Sequence, residues 1–108
     1  MSKTLTIKHR GETFTLEYTR RSVKVMEDSG FIAAKVKDYP MMLLDLFAGA
    51  FFANHPRVKR QKIEQIYDSL PGKDALLEKL VEMYNEPVAA LMEDPEENEG
   101  NATWTASW

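Results

Sequence analysis

The chain has 108 residues, of which 44% are hydrophobic and 29% are charged, a balance typical of one folded domain. It has no cysteine, which excludes disulfides, a thiolate nucleophile and cysteine-bound zinc. The longest apolar run, 41–53, is too short to span a membrane, and the N-terminal residues lack the apolar segment of a signal peptide. We therefore expect a soluble protein of the cytoplasm.

Charge is divided unevenly along the chain. Residues 1–62 carry 12 Lys and Arg against 6 Asp and Glu, whereas residues 63–108 carry 2 against 11. Such a division occurs in chains with a nucleic-acid surface or an acidic tail, and also in domains whose halves attract each other. Charge alone leaves both interpretations open.

The N-terminal residues predict a β-hairpin. Apolar and polar residues alternate over 4–9 and again over 12–18, and the Arg10-Gly11 pair between them suits a tight turn with a positive φ. Because a lone hairpin is marginally stable in water, we expect helices to cover its apolar face.

A first helix is predicted from Arg20 to about Asp28. Thr19 is a suitable N-cap, and Gly30 suits the left-handed position that ends a helix. The residues expected to face inward are Val23, Val25 and Met26. In the connector that follows, we expect Phe31 and Ile32 to be anchored in the core.

The second predicted helix, 40–55, begins near Pro40 and is apolar on all sides, with Asp45 almost alone as a polar residue. Such a helix is either buried at the centre of the domain or partly covered by another molecule. We take central burial as the first interpretation and a partner-covered face as the alternative.

Two more helices are predicted, from Arg57 to Leu70 and from Asp74 to Met92, separated by Pro71-Gly72. Pro87 predicts a kink or a one-turn break near Asn85. The predicted fold is α+β, mainly α: one domain, 1–92, with an N-terminal β-hairpin packed on a bundle of about four helices. A flexible acidic linker and Trp-containing tail, 93–108, follows it.

The sequence offers no pattern for catalysis. His9 and His55 stand in no metal or triad spacing, and we expect His55 to cap the last carbonyls of its helix. Glu78, Glu82 and Glu86 share one helical edge, which is typical of a solvated face. We therefore expect a non-catalytic protein with no cofactor and no metal.

Two predicted helices begin with cations, each of which costs about 0.3–1 kcal/mol against the helix dipole. Those ends could recruit an anion: a phosphate backbone, an acidic partner, or the chain's own acidic run 93–99. Aromatic residues are not interleaved with the cations and the pI is near 5.4, which disfavours nucleic acid. The candidate anion-binding residues are Arg20, Arg21, Arg57, Lys59, Arg60 and Lys62.

The order of these elements resembles a known family. The segments are YTRRSVKVMEDSGF, YPMMLLDLFAGAFFANHP, IEQIYDSLPGKDALLEKLVEMYNEPVAAL and, after the acidic linker, WTASW. This order is similar to that of the small tail assembly chaperones of long-tailed, siphovirus-type bacteriophages and prophages. The resemblance covers about residues 5–92 by arrangement and 93–108 as a similar tail.

The resemblance implies a non-catalytic protein in the cytoplasm of the bacterial host. It would bind the tape measure protein and the tail tube protein, self-associate, and support tail tube assembly, with no membrane partner. The candidate partner-binding residues are Met41, Leu44, Phe47, Phe51, Phe52, Trp104 and Trp108. The alternative function is a small phage or prophage nucleic-acid-binding regulator that uses the basic residues of 57–62.

Both tryptophans lie in the last segment, NATWTASW. In an extended strand, Ala102, Trp104, Ala106 and Trp108 fall on one side and polar residues fall on the other. This alternation predicts a segment that adds to a sheet edge, in its own molecule or in a neighbour.

Overall fold

The computed structural model describes residues 3–94 and 102–108. Its elements are the strands β1 (Leu5–His9) and β2 (Glu12–Leu16) and the helices α1 (Arg20–Asp28), α2 (Met42–Gly49), α3 (Arg60–Asp68) and α4 (Lys73–Ala90). A short 3₁₀ turn, Ala33–Lys35, lies in the connector before α2. The hairpin followed by four helices confirms the α+β, mainly α, fold. The predicted linker 93–100 lies largely outside the described residues.

The hairpin forms as the alternation predicts. β1 and β2 pair antiparallel, with Ile7 opposite Phe14 and Leu5 opposite Leu16. Arg10 and Gly11 both have positive φ, 49° and 81°, which is the backbone of a type I′ turn and matches the twist of the two strands. The apolar side chains of both strands therefore project from one face, toward the helices.

The structure confirms the predicted ends of α1. Thr19 accepts a hydrogen bond from the Ser22 amide at 3.1 Å, and the Ser22 hydroxyl accepts one from the Thr19 amide at 2.8 Å, which completes a capping box. Gly30, with φ of 99°, reverses the chain after the helix. Val23 and Met26 are buried as expected, whereas Val25 is exposed.

The core lies between the hairpin and the helices and contains a cluster of aromatic rings. The Phe47 ring contacts the rings of Phe51 and Tyr67, with both centroid distances 5.2 Å. The Tyr18 hydroxyl donates a 2.5 Å hydrogen bond to the Leu46 carbonyl. Burial, and to a lesser degree the nearby Tyr84, raises the pKa of Tyr18. Leu46 and Phe47 of α2 are fully buried in this core, as are Ala50 and Phe51 just after the helix.

α2 ends at Gly49, six residues before the predicted end. Residues 50–55 turn instead along the outer edge of β2. The Glu17 amide donates to the Ala50 carbonyl at 3.1 Å, and the Thr15 amide donates to His55 Nε2 at 2.9 Å. His55 is thus an acceptor for a strand amide rather than a cap for helix carbonyls, and that prediction is wrong. Long-range hydrogen bonds to the hairpin decide where this segment leaves the helix.

Three further expectations need correction. α3 begins at Arg60 rather than Arg57, because residues 56–58 form a turn and Lys59 is extended. α4 runs without interruption through Pro87, so the one-turn break is absent from the described helix. Ile32 is 46% exposed, so that only Phe31 of the predicted pair is anchored in the core.

Candidate protein-binding surface

An apolar groove lies between α1 and α2. Its volume is about 250 Å³, and apolar side chains form most of its walls. The apolar residues that line it are Val25, Met26, Phe31, Ala48 and Phe52. Gly49 lies at its floor, where a Cβ would overlap Met26 Sδ and stand 2.9 Å from Met26 Cγ, so the missing side chain at residue 49 leaves room for the Met26 side chain between α1 and α2.

The accessible side of α2 continues this groove. Met41, Asp45 and Ala48 follow one another at spacings of four and three residues, so they share a helical face, and Phe52 lies just beyond the helix on the groove wall. Met41 is 69% exposed, and Leu44 is half-buried beside it on the same side. The groove and this helical side are here called the α2 face.

The predicted partner-binding residues of the second helix therefore divide into two groups. Met41, Leu44 and Phe52 lie on or beside the α2 face, where another molecule can reach them. Phe47 and Phe51 are 0% and 1% exposed and belong to the core, so their assignment as contact residues is corrected. One side of the helix is thus central core, as in the first interpretation, and the other side is accessible; that a partner covers the accessible side stays a prediction.

An ion pair stands at the rim of the groove. Arg60 Nη2 lies 2.9 Å from Asp45 Oδ1, and Arg60 Nε lies 2.9 Å from Glu64 Oε2. The pair fixes the start of α3 beside α2. Since all three side chains are between 42% and 46% exposed, it contributes little to stability.

The six candidate anion-binding residues do not share one site. Arg57, Lys59 and Lys62 border an open cleft of about 560 Å³ together with His55. Arg60 lies on the groove rim, Arg21 stands 6.0 Å over the Phe52 ring, and Arg20 borders a separate cleft near Pro87. Lys62 also forms an ion pair with Glu12 at 2.5 Å. The chain's own carboxylates thus neutralise two of the four cations near α3.

The Trp-containing segment stands apart from these surfaces. Residues 102–108 form neither helix nor strand, and Trp104 and Trp108 are 85% and 102% exposed. The predicted addition of this segment to the hairpin of its own molecule is therefore absent from the described structure. Addition to a neighbouring molecule stays a prediction.

The sequence did not reveal that α1 forms one wall of the groove. The spacing along α1 predicts a buried Val25 and the connector predicts Phe31 in the core, whereas both side chains line the groove. The small residues Ala48-Gly49-Ala50 within an otherwise bulky helix are the one indication of a close helix contact there.

No metal site is apparent in residues 3–94 and 102–108, where His, Asp and Glu side chains form no group of three or more that could hold an ion. None of the helices in these ranges is both long and apolar enough to cross a membrane. His9 Nδ1 is buried and has no hydrogen-bond partner among the described residues.

A family model described as "Domain of unknown function (DUF5055)" matches residues 1–108. No curated protein and no solved structure matches the chain.

Proposed function

The chain belongs to the DUF5055 family, whose description assigns no activity, and we propose that it is a non-catalytic tail assembly chaperone of a long-tailed bacteriophage or prophage. Its client would be a helical segment of the tape measure protein, with the tail tube protein as a second partner. It would act in the cytoplasm of the bacterial host.

The observation that carries this proposal is the accessible apolar α2 face. A small domain usually buries such side chains, yet Met41 is largely exposed beside a groove lined by Val25, Ala48 and Phe52. An amphipathic client helix could lie along the groove with its apolar side inward. Methionine at the contact suits a chaperone, because its flexible thioether repacks against the different sequences that a long helical client presents.

The charged rim favours a protein client over nucleic acid. Asp45 and Arg60 together present both signs of charge at the groove, which suits a polypeptide but not a phosphate backbone. Apolar contact also predicts binding that changes little with salt. A regulator that used the cleft at Arg57 and Lys59 would instead lose affinity steeply between about 50 mM and 200 mM salt, because binding would release counterions.

The test is co-purification with a tape measure fragment, followed by affinity measurement on variants of the α2 face. Met41→Glu should weaken binding about tenfold or more, since it places a charge where an apolar side chain would be covered. Met92→Glu is the matched control, because Met92 is 87% exposed just after α4 and belongs neither to the groove lining nor to the side of α2 that carries Met41. It should bind as the unchanged chain does.

A second matched pair probes the α1 wall. Val25 and Val81 are 39% and 41% exposed, but only Val25 lines the groove. Val25→Asp should impair binding and Val81→Asp should not. If the two variants of each pair affect binding equally, the assignment of the α2 face is wrong. If no complex forms with the client and the chain is instead retained on DNA in a salt-sensitive way, the nucleic-acid-binding regulator is favoured.

A further inference from the structure

The two edges of the hairpin differ in what covers them. The amide and the carbonyl of Thr15 on β2 point away from β1, because they bond to His55 and Asn54 at 2.9 and 3.1 Å. Thr6 is paired with Thr15, so its own amide and carbonyl must point outward on the opposite side. The same holds two residues along, for Lys8. Among residues 3–94 and 102–108, none bonds to these outward groups of β1.

The uncovered edge of β1 and the exposed segment 102–108 fit each other. We propose that residues 102–108 of a second copy of this chain add to β1 as a third strand. The segment is entirely exposed and has the period of two that a strand requires. With Trp104 and Trp108 on the side of Leu5 and Ile7, its apolar residues extend the apolar face of the hairpin and its polar residues lie beside Thr6 and Lys8.

The distribution of charge also favours segment 102–108 as the strand that adds to β1. The residues before the segment, 93–99, include five acidic side chains and no basic one, whereas Lys8 and Arg10 are exposed on the hairpin. This complementarity brings the segment toward the hairpin. A second copy is the occupant because the segment of the same chain lies exposed and unpaired in the structure. The inference concerns self-association and does not depend on the proposed client.

The chain supplies its own probe, because its only two tryptophans lie in the segment. Tryptophan fluorescence of the full chain should shift to shorter wavelength as protein concentration rises, in parallel with an increase in mass measured by sedimentation equilibrium. The Trp104→Ala/Trp108→Ala variant should lose the larger species and keep the monomer fold.

Thr6→Pro tests the edge. It removes an outward amide that the folded hairpin does not use, and it should weaken self-association about tenfold or more. Thr13→Pro is the matched control, because the Thr13 amide also points outward but on the β2 edge. It should leave self-association unchanged. Mixing the Thr6→Pro chain with the Trp-free chain should restore a complex, since one supplies the segment and the other supplies the edge.

Three results would overturn the inference. The first is a chain that stays monomeric, with the tryptophan emission of exposed indoles, at every concentration. The second is short-wavelength tryptophan emission that does not change with concentration. The third is self-association that persists in the Thr6→Pro variant. If Thr6→Pro fails to fold, hydrogen exchange of the unchanged chain decides the matter. The amides of Thr6 and Lys8 should gain protection as concentration rises, and constant exchange there would contradict the third strand.

Discussion

At the scale of single residues, Tyr18 makes the stability of the domain depend on pH. The Tyr18 hydroxyl donates a hydrogen bond to the Leu46 carbonyl near the end of α2. Burial raises the pKa of Tyr18 above the ordinary value of 10.0. Below that value both the folded and the unfolded chain hold the phenolic proton. Above it the unfolded chain releases the proton while the folded chain retains it, so the free energy of unfolding must fall as pH rises.

We therefore predict that Tyr18→Phe lowers the free energy of unfolding by about 1–3 kcal/mol at pH 7, because the Leu46 carbonyl loses its partner. Above pH 10 the gap between the variant and the unchanged chain should narrow by about 1.4 kcal/mol per pH unit. Urea unfolding at a series of pH values measures both curves. Curves that stay parallel above pH 10 would contradict the assignment.

Gly49 and Met26 form a second residue-scale contact. An alanine Cβ at position 49 would collide with the Met26 side chain, a cost of about 1–3 kcal/mol that outweighs the helix propensity gained, about 1 kcal/mol. Gly49→Ala should thus destabilise the domain by up to about 2 kcal/mol. In a Met26→Ala background the same change should stabilise it. Additive effects in this double-mutant cycle, measured by chemical unfolding, would refute the contact.

At the scale of elements, α1 and α3 begin very differently. Thr19 and Ser22 close a capping box on α1, whereas Lys59 stands at the N-cap of α3 with no side-chain hydrogen bond. Its backbone, φ −74° and ψ 149°, is already that of an N-cap. An acceptor side chain there would satisfy a free amide without moving the chain.

We predict that Lys59→Asp raises the free energy of unfolding by about 1 kcal/mol, through the cap and the favourable charge at the helix N-terminus. Thermal unfolding followed by circular dichroism would show a higher midpoint. Lys59→Ala is the control that removes the cation without adding an acceptor, and it should change little. Equal midpoints for the two variants would mean that the cap does not form.

Features set by neighbouring residues were predictable from the sequence, whereas features set by tertiary contacts were not. The Arg10-Gly11 turn and the Thr19 cap were predictable because each depends on a few neighbouring residues. The end of α2 was not, because Ala50 and His55 leave the helix to bond with residues of the hairpin more than 30 positions earlier. The α2 face was predicted in part: the apolar helix indicated it, but which side is buried depends on tertiary packing. Phe47 and Phe51 were misassigned for that reason.

At the scale of the whole molecule, some of the unevenly distributed charges form ion pairs within the domain. Lys3 reaches Glu82 of α4 at 3.3 Å, and Arg60 holds both Asp45 and Glu64. The Lys3 and Asp45 pairs join different segments of the chain, whereas the Arg60–Glu64 pair lies within α3. Each is solvent-exposed and worth little alone, so they orient the elements more than they stabilise them. Attraction within the chain thus accounts for part of the charge division without nucleic acid.

The last prediction concerns the boundary between the domain and its tail. Because residues 102–108 are exposed and form no element, a chain that ends after Asp94 should fold with a free energy of unfolding within about 0.5 kcal/mol of the full chain. Urea unfolding at low protein concentration, followed by circular dichroism, measures this difference. Only at high concentration should the full chain become more stable, since association then adds to the apparent stability. A truncated chain that is markedly less stable at low concentration would instead place the tail on its own domain, and would then contradict the strand exchange between copies as well.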